Sequence, residues 1–287
     1  MDFRLTEDQR ALRRGVRELL ARRFDREALR EAVAEPCVDR GLWRELGDAG
    51  FFALCLPEAE GGVGLGLPEA VLVFEEAGRV LLPGPLVATH RAAGSVPGAA
   101  EGAVVVTSVD EGLVPWLDEA DVVLGDVGGA VPVRSVDPLT PLHRVPTTVE
   151  RLPAADGVLL LAAEQVGSAR ATTDMAVSYA RQREQFGQVI GGFQAVKHLC
   201  AGMLVRVELA RAAVWAAAVT GDPVEIAGAK LLADDAAVRN ARDCLQVHGG
   251  MGFTWEADVH LHLKRAWVRA ELGMTAARAE ETVAAGL

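Results

Sequence analysis

The feature that most constrains this chain is an alanine-rich apolar pattern, spaced in threes and fours, that fills most of its second half. From Gly157 to Arg181, Leu160, Ala163, Val166, Ala169, Thr173, Ala176 and Ala180 fall on one side of a helix. After the interruption "FGQVIGGFQ", Val196, Leu199, Met203, Val207, Ala210, Val214 and Ala217 repeat the pattern over about six turns. "TGDPVEIAGAK" restarts the chain with Asp222 as N-cap and Pro223 at the first helical position. That helix is expected to run to Val247, where Gly249 and Gly250 stop it, and a final helix is expected from near Glu256. The alanines let helix axes approach closely, so the pattern predicts a bundle of four long antiparallel helices.

The first part of the chain is also helical. In "LTEDQRAL" Thr6 can cap and Gln9 completes a capping box, with Leu12, Val16, Leu19 and Leu20 following at helical spacing. A helix in "DRGLWRELGDAG" is expected to end at Gly50, and Pro68 starts another after the glycine-rich "LPEAEGGVGLGLPEA". Between about Gly102 and Pro153 the texture changes. "GAVVVTSV", "ADVVLGDVGGAVPVRSV" and "HRVPTTVERL" are short valine-rich runs broken by Gly, Pro and Asp, which is strand chemistry for a small sheet. The reading is a mostly α fold in three parts: a helical domain over 1–95, a shortened β-domain over 96–153 and a four-helix bundle over 154–287.

Composition excludes several classes of function. Forty acidic against 29 basic residues give a formal charge of −11 with no block of like charge, which disfavours a nucleic-acid partner or an anionic membrane surface. No apolar stretch approaches the ~20 residues of a membrane span, and the charged N-terminus is not a signal peptide. The four cysteines are far apart with no CxxC pair, as expected for reduced thiols of a cytoplasmic protein. His248, His260 and His262 cluster in sequence, but an HxH pair on a helix points its members about 200° apart, so no metal site is expected.

The stretch "CLQVHGGMGF", together with "YARQREQFGQVIGGFQAVKHLCAGM", resembles the acyl-CoA dehydrogenase family, as does "LWRELGDAGFFALCLPEAEGGVGLGLPEAVLVFEEAGRVLLPGPL" near the N-terminus. The resemblance covers roughly residues 1–95 and 155–270 and implies that family's fold, assembled as dimers or tetramers. In such enzymes these turns reach an FAD lying across a subunit interface. The resemblance therefore implies that Arg183 and Phe186 meet the pyrophosphate and adenine side of a neighbour's FAD, with Gln194 beside them. Gln246, Gly249 and Gly250 would hold the adenosine end. The chemistry agrees: a guanidinium presents a planar fork to phosphate, and glycines let backbone N–H groups come close.

The same resemblance exposes what is missing. The family removes an α-proton from an acyl-CoA with a glutamate and passes a β-hydride to the flavin. Counting from the family's motifs, the two positions that carry this base fall on Gly273 and Gly157, so no catalytic residue is assigned. Glu164, Glu271 and Glu256 are the nearby acids. Glu164 lies two turns beyond Gly157, Glu271 points away from Gly273, and Glu256 is expected to cap or salt-bridge the last helix. The family's flavin-ring segment is reduced to "GAAEGAVVVTSVDEGLV", with Thr107 and Ser108 as its remnant. The chain thus resembles the shorter subunits of actinobacterial heteromeric acyl-CoA dehydrogenases, several of which act on CoA thioesters of steroid side chains. That resemblance implies an FAD shared at a subunit interface, a full-length catalytic partner, an acyl-CoA substrate and, by family analogy, an electron-transfer flavoprotein as acceptor. Two alternatives stand beside it: an active homomeric enzyme with an unusual base, and a scaffold that binds no flavin.

Overall fold

In the computed structural model, residues 4–146 and 154–286 are described. Five helices come first: α1 (Glu7–Arg23), α2 (Arg26–Ala34), α3 (Arg40–Asp48), α4 (Leu67–Arg79) and α5 (Leu86–Ala92). The capping box at Thr6 and Gln9 forms as expected, with N···O distances of 3.1 and 3.0 Å. The short helix α2 is not apparent in the apolar spacing; Asp25 starts it by accepting from the N–H groups of Glu27 and Ala28. Gly50, just beyond the end of α3, takes φ 79°.

Five three-residue strands come next: β1 (Val106–Ser108), β2 (Leu113–Pro115), β3 (Val122–Leu124), β4 (Val131–Val133) and β5 (Leu142–Arg144). β1 pairs with β3 in parallel, and β5 lies between β2 and β4 with both neighbours antiparallel. The strand expectation for "HRVPTTVERL" is met at His143 and Arg144; residues 147–152 of that run lie outside the described residues.

Three long helices, α6 (Ala155–Gln182), α7 (Gln194–Thr220) and α8 (Pro223–His248), then form the body of the bundle. Asp222 caps α8 as expected, accepting from Val224 and Glu225. The fourth member differs from the expectation. It begins at Val259 rather than near Glu256, and it is two short helices, α9 (Val259–Ala270) and α10 (Ala276–Ala285), broken at Gly273 with φ 76°. Glu256 does not cap it; the Glu256 carbonyl accepts from Arg26 of α2 instead.

One core runs from Leu20 and Trp43 through Phe74 of α4 to Val166, Val214 and Ala237 of the bundle. α4 and α6 meet backbone to backbone. A Cβ on Gly78 would lie 2.0 Å from the Glu164 carbonyl oxygen, and one on Gly167 would lie 1.9 Å from that of Glu75. Two buried carboxylates flank this contact. Glu75 accepts from Trp215 Nε1 (2.6 Å) and lies 3.7 Å from Arg211; burial pushes its carboxyl up to about 7. Glu164 pairs with Arg269 (2.6 Å).

Candidate functional site

The motif turns gather at one end of the bundle. α6 ends at Gln182, and the Arg183 N–H donates back to the Tyr179 carbonyl at 2.9 Å. A two-residue turn, Phe186 (φ 54°) and Gly187 (φ 81°), joins strands β6 (Glu184–Gln185) and β7 (Gln188–Val189). A bulky residue with positive φ is strained by about 1–2 kcal/mol. The Phe186 ring nevertheless stands 89% exposed, edge-on to Phe193 with centroids 6.1 Å apart. Gln194 opens α7, whose N-terminus has no side-chain cap, so first-turn N–H groups face outward beside Arg183.

α8 ends at the same place. Gly249 takes φ 58° and ψ −138°, and a 3-10 turn continues through Phe253. His248 stacks on Tyr179, the one tyrosine in the chain, with centroids 4.2 Å apart, fixing the end of α8 against the end of α6. Ala176, Met203, Cys244 and Val259 pack beneath.

The structure therefore brings all six sequence-predicted residues, Arg183, Phe186, Gln194, Gln246, Gly249 and Gly250, to one exposed end. A Cβ on Gly249 or Gly250 would meet nothing within 4 Å. Packing within this chain does not require Gly250, which leaves an open backbone cradle that a flat ligand could approach. Arg181, Arg183, Lys197 and Arg242 are exposed there, and none has a side-chain partner among the described residues. Unpaired cations around a bare backbone turn fit an anionic dinucleotide such as FAD. A cleft of about 660 Å³ between α6 and α7, lined by Arg170, Arg181, Cys200 and Leu204, opens beside them.

The base positions lie elsewhere, and the structure joins them. A Cβ on Gly273 would sit 2.6 Å from Leu161 Cδ1 and 3.6 Å from Val158 Cα, next to Gly157. A Cβ on Gly157 would sit 3.0 Å from Cδ of Arg91, whose Nε donates to Asp156 (2.9 Å). Leu161 fills the Gly273 slot, and the partly exposed Arg91 side chain borders the one at Gly157. Glu164 is buried against Arg269, and Glu271 is exposed. The residue that sequence reasoning missed is Asp110, whose Oδ2 accepts the Gly273 N–H at 2.7 Å. Burial pushes its carboxyl up to about 6, against the opposing pull of that hydrogen bond. "VDEGL" signals a tight turn in the sequence, but nothing local says where the turn docks. The Thr107 hydroxyl donates to the Pro115 carbonyl within the strands.

The histidines do not converge on a metal. His262 is buried with Nδ1 2.8 Å from Ser168 Oγ and is held down to about 3 by burial; His260 packs edge-on to Trp255. Among the described residues no group of three His, Cys, Asp or Glu could hold a metal ion, and no helix is long and apolar enough to cross a membrane.

Known proteins share this architecture. The family model described as acyl-CoA dehydrogenase, C-terminal domain, matches residues 155–286, and the one described as acyl-CoA dehydrogenase, N-terminal domain, matches residues 6–102. Acyl-CoA dehydrogenase IpdE2 of Mycobacterium tuberculosis is 37% identical over 298 residues, covering 93% of each chain. Acyl-CoA dehydrogenase FadE34 of the same organism is 35% identical over 79% of this chain, which spans 39% of that longer protein. Among solved structures, a chain of the ChsE4-ChsE5 complex from Mycobacterium tuberculosis superposes with a TM-score of 0.84 at 24% identity, covering 99% of this chain and 97% of that one.

Proposed function

The chain belongs to the acyl-CoA dehydrogenase family, and from that premise we propose that it is the cofactor-completing subunit of an FAD-dependent enzyme. The reaction is α,β-desaturation of an acyl-CoA thioester, of the fatty-acid or steroid side-chain class. A full-length chain of the same family supplies the carboxylate base and the main flavin pocket. An electron-transfer flavoprotein would be the electron acceptor of the assembled enzyme. The three parts, 1–95, 96–153 and 154–287, divide the work: the last lends the cofactor-binding end, and the first supports it.

FAD, when bound, supplies the hydride acceptor. Every other contribution in this reading comes from the chain's own side chains and backbone. The Arg183 guanidinium donates to the pyrophosphate as a planar fork, with the uncapped first turn of α7 and Gln194 adding donors beside it. Phe186 offers an exposed ring to the adenine side. Gln246 and the backbone of Gly249 and Gly250 hold the adenosine end. Excluding water from these charge-assisted bonds strengthens them, which is a reason to bury them at a subunit interface.

One observation carries the proposal. Both positions at which the family holds its glutamate are glycines, the Gly273 slot being filled by Leu161, while all six candidate cofactor-contacting residues stand exposed together. Co-expression with a full-length family member should give a yellow complex with dehydrogenase activity. Arg183→Ala should weaken FAD binding by roughly tenfold or more, the loss of a charge-assisted hydrogen bond. Stoichiometric FAD and acyl-CoA oxidation by the isolated chain would sink it. A second reading, the active homomeric enzyme, is favoured by Asp110, a carboxylate at the Gly273 backbone. It requires that Asp110→Asn abolish oxidation by the isolated chain.

A further inference from the structure

The turn between β1 and β2 is closed by a pair of backbone hydrogen bonds. Asp110 and Leu113 exchange backbone hydrogen bonds of 2.8 and 2.7 Å, and the two residues between them, Glu111 (φ 48°) and Gly112 (φ 76°), both take positive φ. That is the two-residue turn whose twist matches paired strands. Both acidic side chains of this turn reach across to the connection between α9 and α10. Asp110 accepts from the Gly273 N–H, and Glu111 pairs with Arg278 of α10.

Apolar packing closes the space behind them. Leu113 of β2 and Leu142 of β5 join Leu161 of α6 and Val268 and Leu272 around α9 in one small cluster. Leu161 is the side chain that fills the Gly273 slot. Strand, turn and helix therefore converge on the point where the two base positions meet.

We infer that the β1–β2 turn is a strap that seals this chain's own base slot, anchored by Asp110 on Gly273 and by Glu111 on Arg278. This rests on the reading of the chain as a cofactor-completing subunit and deepens it. Asp110 holds backbone in place and touches no substrate.

Hydrogen exchange of the full chain, followed over residues 270–276, tests the strap directly. Asp110→Ala should raise exchange at the Gly273 amide tenfold or more. Asp110→Asn, which keeps an accepting oxygen, should retain most of the protection. In the co-expressed complex, Asp110→Ala should leave FAD content unchanged. Unchanged exchange in Asp110→Ala overturns the strap. So does loss of acyl-CoA oxidation by the isolated chain on Asp110→Asn. A complex that contains no FAD overturns the functional reading instead, and the exchange result still judges the strap by itself.

Discussion

Replacing Gly273 by alanine probes the sealed slot with a single methyl group. Gly273 has φ 76°, a region that costs an L-residue roughly 1–2 kcal/mol. The new methyl stiffens the unfolded chain, which returns about 0.4–1 kcal/mol. It would also lie 2.6 Å from Leu161 Cδ1, well inside contact distance, with the backbone of Val158 3.6 Å away on the same side. Leu161 is 8% exposed, so it has little room to yield, and overpacking of this kind costs about 1–3 kcal/mol. The expected net loss is about 2–4 kcal/mol, or roughly 3–7 °C in Tm for a chain of this size. Urea denaturation followed by circular dichroism measures it. Leu161→Ala is costly alone, but it should recover about 1–3 kcal/mol of the Gly273→Ala loss in the double variant, because the overlap is then relieved. Gly273→Glu should destabilise further and confer no dehydrogenase activity on the isolated chain. If Gly273→Ala is as stable as the wild type, the slot is open and the reasoning from packing is wrong.

The buried charges and caps set further outcomes. Burial raises Glu75 from 4.5 to about 7, so its contribution to stability is fullest below pH 4.5 and falls as pH rises through 7. Between pH 5.5 and 8 the stability difference between wild type and Glu75→Gln should change by about 2 kcal/mol, in favour of the variant at high pH. Comparing the two proteins removes the opposite trend of His262, which is buried neutral and must gain a proton on unfolding in acid. A pH-independent difference would show that Glu75 titrates normally. Glu164→Gln leaves Arg269 buried without its carboxylate and should cost about 3–5 kcal/mol in urea denaturation. Unaltered stability would mean the pair contributes nothing. Asp222→Ala removes the acceptor at the start of α8 and should cost about 1 kcal/mol, measurable in the same experiment.

The sequence is legible wherever structure is local or periodic. The stripes from Leu160 to Ala180 and from Val196 to Ala217 mark α6 and α7, and the caps at Thr6 and Asp222 stand where their residue types place them. The six residues at the bundle end emerge through resemblance, and the fold explains their company: two turns far apart in the chain are clasped by Tyr179 and His248. Long-range docking is illegible. Asp110 reads as an ordinary turn acid, and its partner Gly273 only as one of the two vacant base positions; only the folded chain makes them neighbours. The break between α9 and α10 is hidden for a related reason. "RAELGMTAAR" is helical by composition, and the positive φ of Gly273 is set by the surfaces it meets.

The interlocked glycines of α4 and α6 limit how such a chain can be dismantled. Because each helix seats a neighbour's main-chain carbonyl in a notch left by a missing side chain, neither can slide by one residue without a collision at Gly78 or Gly167. A fragment that begins at α6 would carry an empty trench along its length, floored by Ala162, Ala163 and Val166 and wetted for the first time. The amino-terminal third is thus no detachable accessory; it is the other jaw of the vice that grips α6.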